Sequence, residues 1–209
     1  MVAKKDVRLY VEGGGDSDSL HSVCRRGFSA FLEKAGLSGR MPRIIACGSR
    51  NEAYNRFVIA CAQPNIIPIL LVDSECSVPD ESDSDCKSWQ PWQYLKVRDG
   101  WNKPENASDE QCNLMIECME NWFFADIPTL KKYYGQGFDE KKMSVVSDIE
   151  KISKQKVFFA LQEATKNTKT KGPYNKGNHS FEILALIDSS LVIEKSKWAA
   201  RFVNYLRNI

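Results

Sequence analysis

Two short runs of acid and glycine are where this chain could do chemistry. The first is Glu12-Gly13-Gly14-Gly15 and the second is Asp73-Ser74-Glu75. In the second, the two carboxylates are two residues apart, so on an extended backbone they point to the same side. Three carboxylates brought together would repel one another unless a divalent cation joined them, and an all-oxygen, incompletely filled shell suits Mg²⁺ or Mn²⁺. Glycines beside Glu12 add a second property. Without side chains, a phosphate can come close to main-chain N–H groups and to the start of a following helix. A mononucleotide loop is the rival reading of that turn. It lacks both G-x-G-x-x-G and G-x-x-x-x-G-K-[ST], and an acid at its entrance would repel phosphate in the absence of a metal.

These residues must be carried by regular elements, and the hydrophobic periodicity supplies them. Val7–Val11 reads as a strand running into Glu12. Leu20, Val23, Cys24, Phe28, Phe31 and Leu32 then recur at helical spacing up to Gly36. Arg43–Cys47 is a second strand, followed by Gly48, a capping Ser49 and a helical stripe of Tyr54, Phe57, Val58 and Cys61. Ile66–Val72 is a continuous apolar run, as a strand covered on both faces requires, with Pro68 marking its entry. Three successive β-α units predict a parallel sheet with right-handed crossovers. In such a sheet, function collects outside the carboxyl ends of the strands, where Glu12 and Asp73 fall.

Residues 76–110 turn acidic and rich in Pro and Trp, and read as an insertion pinned by Trp89 and Trp92, with the acidic run Asp80–Asp85 solvated. Asn113–Met119 is a fourth strand, and Asp126-Ile127-Pro128 opens a helix. Further helical stripes fit Val157, Phe158, Leu161 and Ala164, then Phe181–Ile187, then Trp198, Phe202 and Leu206. The expected organisation is an α/β core over 1–126 and a mainly helical section over 127–209 packed on it.

The 209 residues carry 29 Lys+Arg against 27 Asp+Glu and are 43% hydrophobic, which is an ordinary globular composition and not that of a disordered chain. The net charge of +2 conceals two unlike parts. Residues 1–126 hold 14 basic and 19 acidic side chains, a balance of −5, whereas residues 127–209 hold 15 and 8, a balance of +7. Seven scattered cysteines without a C-x-x-C pair read as reduced thiols. No apolar run nears the ~20 residues of a membrane span, and Lys4, Lys5, Asp6 and Arg8 interrupt the place of a signal peptide's core, so a cytosolic protein with no membrane partner is expected.

The basic half offers a candidate nucleic-acid surface. From Ala164 to Phe181 the chain has Lys166, Lys169, Lys171 and Lys176 around Tyr174 and His179, and no acid before Phe181. Lysines neutralise a phosphate backbone, an aromatic ring stacks on bases, and His179 titrates near neutrality, although a solvated loop and a structural histidine are the bland readings. Arg50, beyond the second strand, is placed to meet a phosphoryl oxygen, with a surface arginine or an ion pair as the bland readings. Asp16 and Asp18 are second-metal ligands or helix caps.

The pairing of Glu12-Gly13 after the first strand with Asp73-Ser74-Glu75 after the third resembles the Toprim catalytic domain of primases, topoisomerases, ribosomal-RNA-processing nucleases and OLD-type nucleases. Glu75 departs from the commoner Asp of that family's Asp-x-Asp. The stretches Met119–Asp126 and Tyr174–His179 resemble small bacterial Toprim-like proteins often encoded beside an AAA- or ABC-type ATPase. The resemblance implies a Toprim-like, Rossmann-like sheet and a metal held by Glu12, Asp73, Glu75 and Glu120. It implies a Mg²⁺-dependent nuclease in which Lys176 or Arg50 assists, with nucleic acid, an ATPase or a second copy of the chain as partners and antiphage defence as a setting. Its alternative is a catalytically inactive Toprim-like scaffold, and a third reading is a small-molecule phosphohydrolase.

Overall fold

The computed structural model describes residues 5–15, 17–78 and 90–209; the acidic run 80–85, Trp89 and Asp16 lie outside them. Its centre is a four-stranded, wholly parallel sheet in the order β2-β1-β3-β4. The strands are β1 (Asp6–Val11), β2 (Arg43–Ala46), β3 (Ile66–Asp73) and β4 (Cys112–Met115). The chain is therefore an α/β protein with helices on both faces of the sheet, as the succession of β-α units predicts.

Alternation along the strands sorts side chains between two cores. Leu9, Val11, Ile44, Ala46, Ile69 and Leu71 face one layer, while Tyr10, Leu70, Val72, Cys112 and Leu114 face the other. α1 (Asp18–Leu32) covers the first face, and α2 (Arg50–Cys61) covers the second through Ala53, Phe57 and Ala60. Val58, expected in that buried stripe, lies toward solvent. Because β1 connects to β2 on one side of itself and β3 lies on the other, right-handed crossovers must put α1 and α2 on opposite faces. That reversal makes the gap between β1 and β3 a topological switch point.

Pro68 sits inside β3 opposite Arg8 and not at the strand's first residue. It is tolerated there because its missing N–H faces the β4 side, where pairing starts only at Leu70 with Cys112. The side-chain amide of Gln111 donates to the Pro68 carbonyl at 2.9 Å.

The segment read as an insertion holds α3 (Pro91–Asp99), which is the crossover helix from β3 to β4. Periodicity missed it because it is short and only Pro91, Trp92 and Leu95 are buried. Trp92 packs against Phe57 with ring centroids 5.5 Å apart. β4 ends at Met115, earlier than expected, and Met119–Ala125 forms a buried 3₁₀ helix. In it, Asn121 accepts from the Cys118 N–H and donates to the carbonyls of Ile149 and Ile152.

The remaining helices are α4 (Ile127–Tyr134), α5 (Lys154–Thr165), α6 (Lys176–Leu186), α7 (Ser189–Lys195) and α8 (Lys197–Arg207). Asp126 caps α4 by accepting from the Thr129 N–H at 3.2 Å. One hydrophobic cluster runs from Leu9 of the sheet through Trp122, Leu161 and Ile183 to Leu206, so residues 127–209 share a core with the sheet. α6 packs closely on α1: a Cβ on Gly27 would lie 2.7 Å from the Phe181 carbonyl oxygen. This contact brings the start of α6, and with it Lys176, over the carboxyl ends of β1 and β3.

Candidate metal centre

Glu12 follows β1 and Asp73 ends β3, and Glu75 lies two residues on; ligand oxygens of the three carboxylates all fall within 4.8 Å of one another. Their convergence does not come from an extended segment. Glu75 has φ 69°, in the left-handed region where a residue with a Cβ is strained. Its N–H donates to the Glu117 carbonyl at 2.7 Å, and the Ser74 carbonyl accepts from the Tyr94 hydroxyl at 2.8 Å. These bonds turn the chain after Asp73 and return the Glu75 carboxylate to the site.

Glu12 and Asp73 are tied across the switch point. The Asp73 N–H donates to Glu12 Oε2 at 3.1 Å, and Asp73 Oδ1 accepts from the Met119 N–H at 2.9 Å. The Asp73 side chain is only 5% exposed. Its carboxyl is held well above the usual carboxylate range, by burial first and then by the charges of Glu12 and Glu120. Burial also raises Glu12, against the pull of Arg50. Burial opposes the ionised form of Glu75 too, but a hydrogen bond and the charge of Lys154 outweigh it, and the net shift is downward.

Three cations stand against these acids. Arg50, in the first turn of α2, lies 3.5 Å from Glu12 Oε2 and 2.8 Å from Asp99 Oδ2, donates to the Asp73 carbonyl, and stacks over Trp101. Arg50 is thus a partly buried, ion-paired residue and not a solvated surface arginine. Lys154 Nζ is 2.6 Å from Glu75 Oε2 and 4.0 Å from Asp73 Oδ2. Lys176 Nζ is 3.8 Å from Asp73 Oδ2, on a side chain that is 55% exposed. Desolvation lowers Lys176, yet the charges of Glu120 and Asp73 outweigh it and raise its pKa overall.

Sequence reasoning missed Lys154. One signal was available: a lysine at the first position of a helix opposes the macrodipole, so some other interaction must hold it there. Here Glu75 holds its ammonium, and Glu117 accepts from its backbone N–H at 2.8 Å.

Glu120 was expected among the metal ligands, but it is not part of the 4.8 Å group. It is 0% exposed, and its Oε1 accepts from the Tyr174 hydroxyl at 2.8 Å and from Ser180 Oγ at 3.2 Å. The 3₁₀ turn that carries it sets it against Tyr174, in the loop before α6, and Ser180 of α6.

The basic segment divides in two. Tyr174 is buried, with its hydroxyl bonded to Glu120 and Ser180, and so its ring is not presented for base stacking. His179 is also buried, its Nδ1 beside the Tyr134 hydroxyl at 3.1 Å and the Asn175 N–H at 3.2 Å, and burial lowers its pKa. Both residues fill core positions because their apolar bodies pack on α4 and α5. Lys166, Lys169 and Lys171 are exposed; Lys166 pairs with Glu163, and Lys171 pairs with Glu182 over the Tyr133 ring. Lys176 alone of this group reaches the acids.

The glycine turn lies beside them. Gly13, Gly14 and Gly15 all have positive φ, and a Cβ on Gly13 would lie 2.7 Å from the Phe181 ring. Gly13 and Gly48 exchange both backbone hydrogen bonds at 2.9 Å, so the Gly13 N–H is already engaged within the fold. Ser17 caps α1, and Asp18 lies in the helix's first turn. A cavity of about 240 Å³ opens here, lined by Glu12, the Gly13–Gly15 turn, Asp73, Glu120, Lys176 and Phe181 among others.

An open parallel sheet with acids clustered at its switch point defines an α/β protein whose Glu12, Asp73 and Glu75 could bind a metal ion. The chain belongs to the family described as Domain of unknown function (DUF4276), which it matches over residues 11–207. Comparison with curated proteins and with solved structures gave no match. Among the described residues, no helix is long and apolar enough to cross a membrane. The six described cysteines, Cys24, Cys47, Cys61, Cys76, Cys112 and Cys118, are free thiols.

Proposed function

We propose that this chain is a Toprim-like, Mg²⁺- or Mn²⁺-dependent phosphodiesterase acting on nucleic acid. The observation that carries the reading is the meeting of Glu12, Asp73 and Glu75 within 4.8 Å at the topological switch point. Carboxylates this close, two of them pushed toward protonation by burial, are best accommodated by a divalent cation with oxygen ligands. Glu12, Asp73 and Glu75 would hold the ion. When bound, it supplies Lewis-acid activation of water and charge stabilisation on phosphoryl oxygens.

The chain's own residues supply the rest. Arg50 orients Glu12 through an ion pair and Asp73 through its carbonyl, which fixes two ligands relative to one another. Lys154 and Lys176 lie within 4.0 Å of Asp73, placed to meet the charge that builds on a phosphoryl group. Lys166, Lys169 and Lys171 would offer long-range attraction to a polyanion. By the resemblance, an AAA- or ABC-type ATPase partner, self-association and a role in antiphage defence belong to the same proposal.

A second reading has its own support. Arg50, Lys154 and Lys176 already neutralise three carboxylates, as an inactive Toprim-like scaffold binding an ATPase or nucleic acid would permit. Incubation of DNA and RNA oligonucleotides with the purified chain and Mg²⁺ or Mn²⁺ separates the two. The nuclease reading expects cleavage that chelation stops and that Asp73→Ala abolishes with an unchanged circular dichroism spectrum. Equal cleavage by Asp73→Ala removes the catalytic assignment, and absence of Mn²⁺ binding by calorimetry favours the scaffold.

A further inference from the structure

Asp99 is the last residue of α3, where an acid opposes the helix macrodipole and needs a cation to offset it. Arg50 is that cation. Its Nη2 lies 2.8 Å from Asp99 Oδ2, whereas its Nη1, which donates to the Asp73 carbonyl, stands 3.5 Å from Glu12 Oε2. The guanidinium fork is therefore split, with the short ion pair on Asp99 and the long one on the candidate metal ligand. Asp99 also accepts from Arg98, so its carboxylate is fixed from two sides.

Aromatic rings set the plane of that fork. The Arg50 guanidinium lies 5.1 Å from the Trp101 ring centroid, and Trp101 stacks on Tyr54 at 4.5 Å with an interplanar angle of 4°. Tyr54 is one turn beyond Arg50 on α2, and its hydroxyl donates to the Asn102 carbonyl at 2.8 Å, which ties the stack to the segment after α3. A guanidinium can give one carboxylate two parallel hydrogen bonds, and such a fork on Glu12 would occupy the oxygens that a divalent cation needs. With Nη2 committed to Asp99 and the plane set by Trp101, Arg50 meets Glu12 through Nη1 alone.

We propose that Asp99 is a positioning residue: it draws the Arg50 guanidinium off Glu12 and leaves that carboxylate open to a divalent cation. The consequence for the ion rests on the metal-dependent reading above; the hold on Arg50 does not. Asp99 is not one of the carboxylates that would share the ion, and it acts through Arg50. At 3.5 Å the arginine orients Glu12 without occupying it. Once Asp99 is removed, the freed Nη2 turns to Glu12 and competes with the ion.

Calorimetry with Mn²⁺ on the full chain tests this. Asp99→Asn should bind Mn²⁺ about tenfold more weakly than the wild type, and most of that loss should disappear when the substitution is made in an Arg50→Met background. Unchanged affinity in Asp99→Asn overturns the proposal. So does an equal loss in the Arg50→Met background, because removal of a negative charge near the ion then accounts for the effect. Urea unfolding without metal reads the same contact through Glu12→Gln, which should shift the unfolding equilibrium constant in the destabilising direction by about threefold more in Asp99→Asn than in the wild type. No difference between the two backgrounds overturns the hold on Arg50. Should Asp99→Asn not fold, the wild type alone decides: its Arg50 guanidinium should show restricted rotation by NMR, both metal-free and with saturating Mg²⁺, and free rotation in either state overturns the proposal. Failure of the metal reading shows differently, as no Mn²⁺ binding by the wild type, with the unfolding comparison still reading the hold on Arg50.

Discussion

Asp73→Asn should make the metal-free protein more stable while removing its response to Mn²⁺. The Asp73 carboxylate lies within 4.8 Å of oxygens on Glu12 and Glu75, and at an effective dielectric of about 20 each contact repels by at least about 3.5 kcal/mol. Lys176 at 3.8 Å and Lys154 at 4.0 Å attract by about 4 kcal/mol each on the same scale, before screening. The Lys176 side chain is 55% exposed, so water reduces its share. Attraction and repulsion nearly cancel, which leaves a desolvation penalty of several kcal/mol for a buried carboxylate. Asparagine retains the acceptor for the Met119 N–H and removes the charge, for an expected gain of about 1–3 kcal/mol, or roughly 2–12 °C in Tm for a domain of this size.

The pH dependence follows from the same shift. The folded-state pKa values of Asp73 and Glu12 are raised, so the stability they contribute is present below the ordinary carboxylate range and is lost as pH rises through the raised values. The advantage of Asp73→Asn should therefore be small near pH 4 and grow toward neutrality. Mn²⁺ at about 100 times its Kd should stabilise the wild type by about 2.7 kcal/mol and leave the variant unchanged. Differential scanning fluorimetry across pH, with and without Mn²⁺, reads both effects. A variant less stable than the wild type at neutral pH without metal, or one that Mn²⁺ stabilises equally, refutes the reasoning.

Lys154→Met should raise Mn²⁺ affinity, by about tenfold if the ammonium 2.6 Å from Glu75 is what the ion must displace, and calorimetry measures it. Unchanged or weaker Mn²⁺ binding would mean that the lysine does not compete. Gly27→Ala would ordinarily strengthen a helix by about 0.5–1 kcal/mol, but here its Cβ meets the Phe181 carbonyl oxygen at 2.7 Å. The expected outcome in urea unfolding is a loss of about 1–3 kcal/mol as α6 is pushed from α1, and a stabilised variant would show that the helices can part without strain.

The amino-acid sequence by itself determined the sheet and the places of its acids. Apolar runs such as Ile66–Val72 and caps such as Ser49 and Asp126 are local signals, written in neighbouring residues, and they appear in the structure at β3, α2 and α4. That Glu12 and Asp73 fall at the carboxyl ends of parallel strands follows from the β-α succession, whereas the sheet order β2-β1-β3-β4 is what makes those two strands neighbours. The helix within 76–110 was hidden because so few of its residues are buried to give it a period. What only the tertiary structure decided is which charges meet. Lys154 is 79 positions from Glu75 along the chain and comes beside it through packing of α5, and the left-handed turn at Glu75 replaces the simple alternation expected of an extended segment. The same packing takes Tyr174 and His179 out of the basic surface and into the core, and buries Glu120 with one oxygen bonded to Tyr174 and Ser180. Residue type records the chemistry a side chain can do; the neighbours and the burial that decide whether it does so arise from contacts distant in sequence.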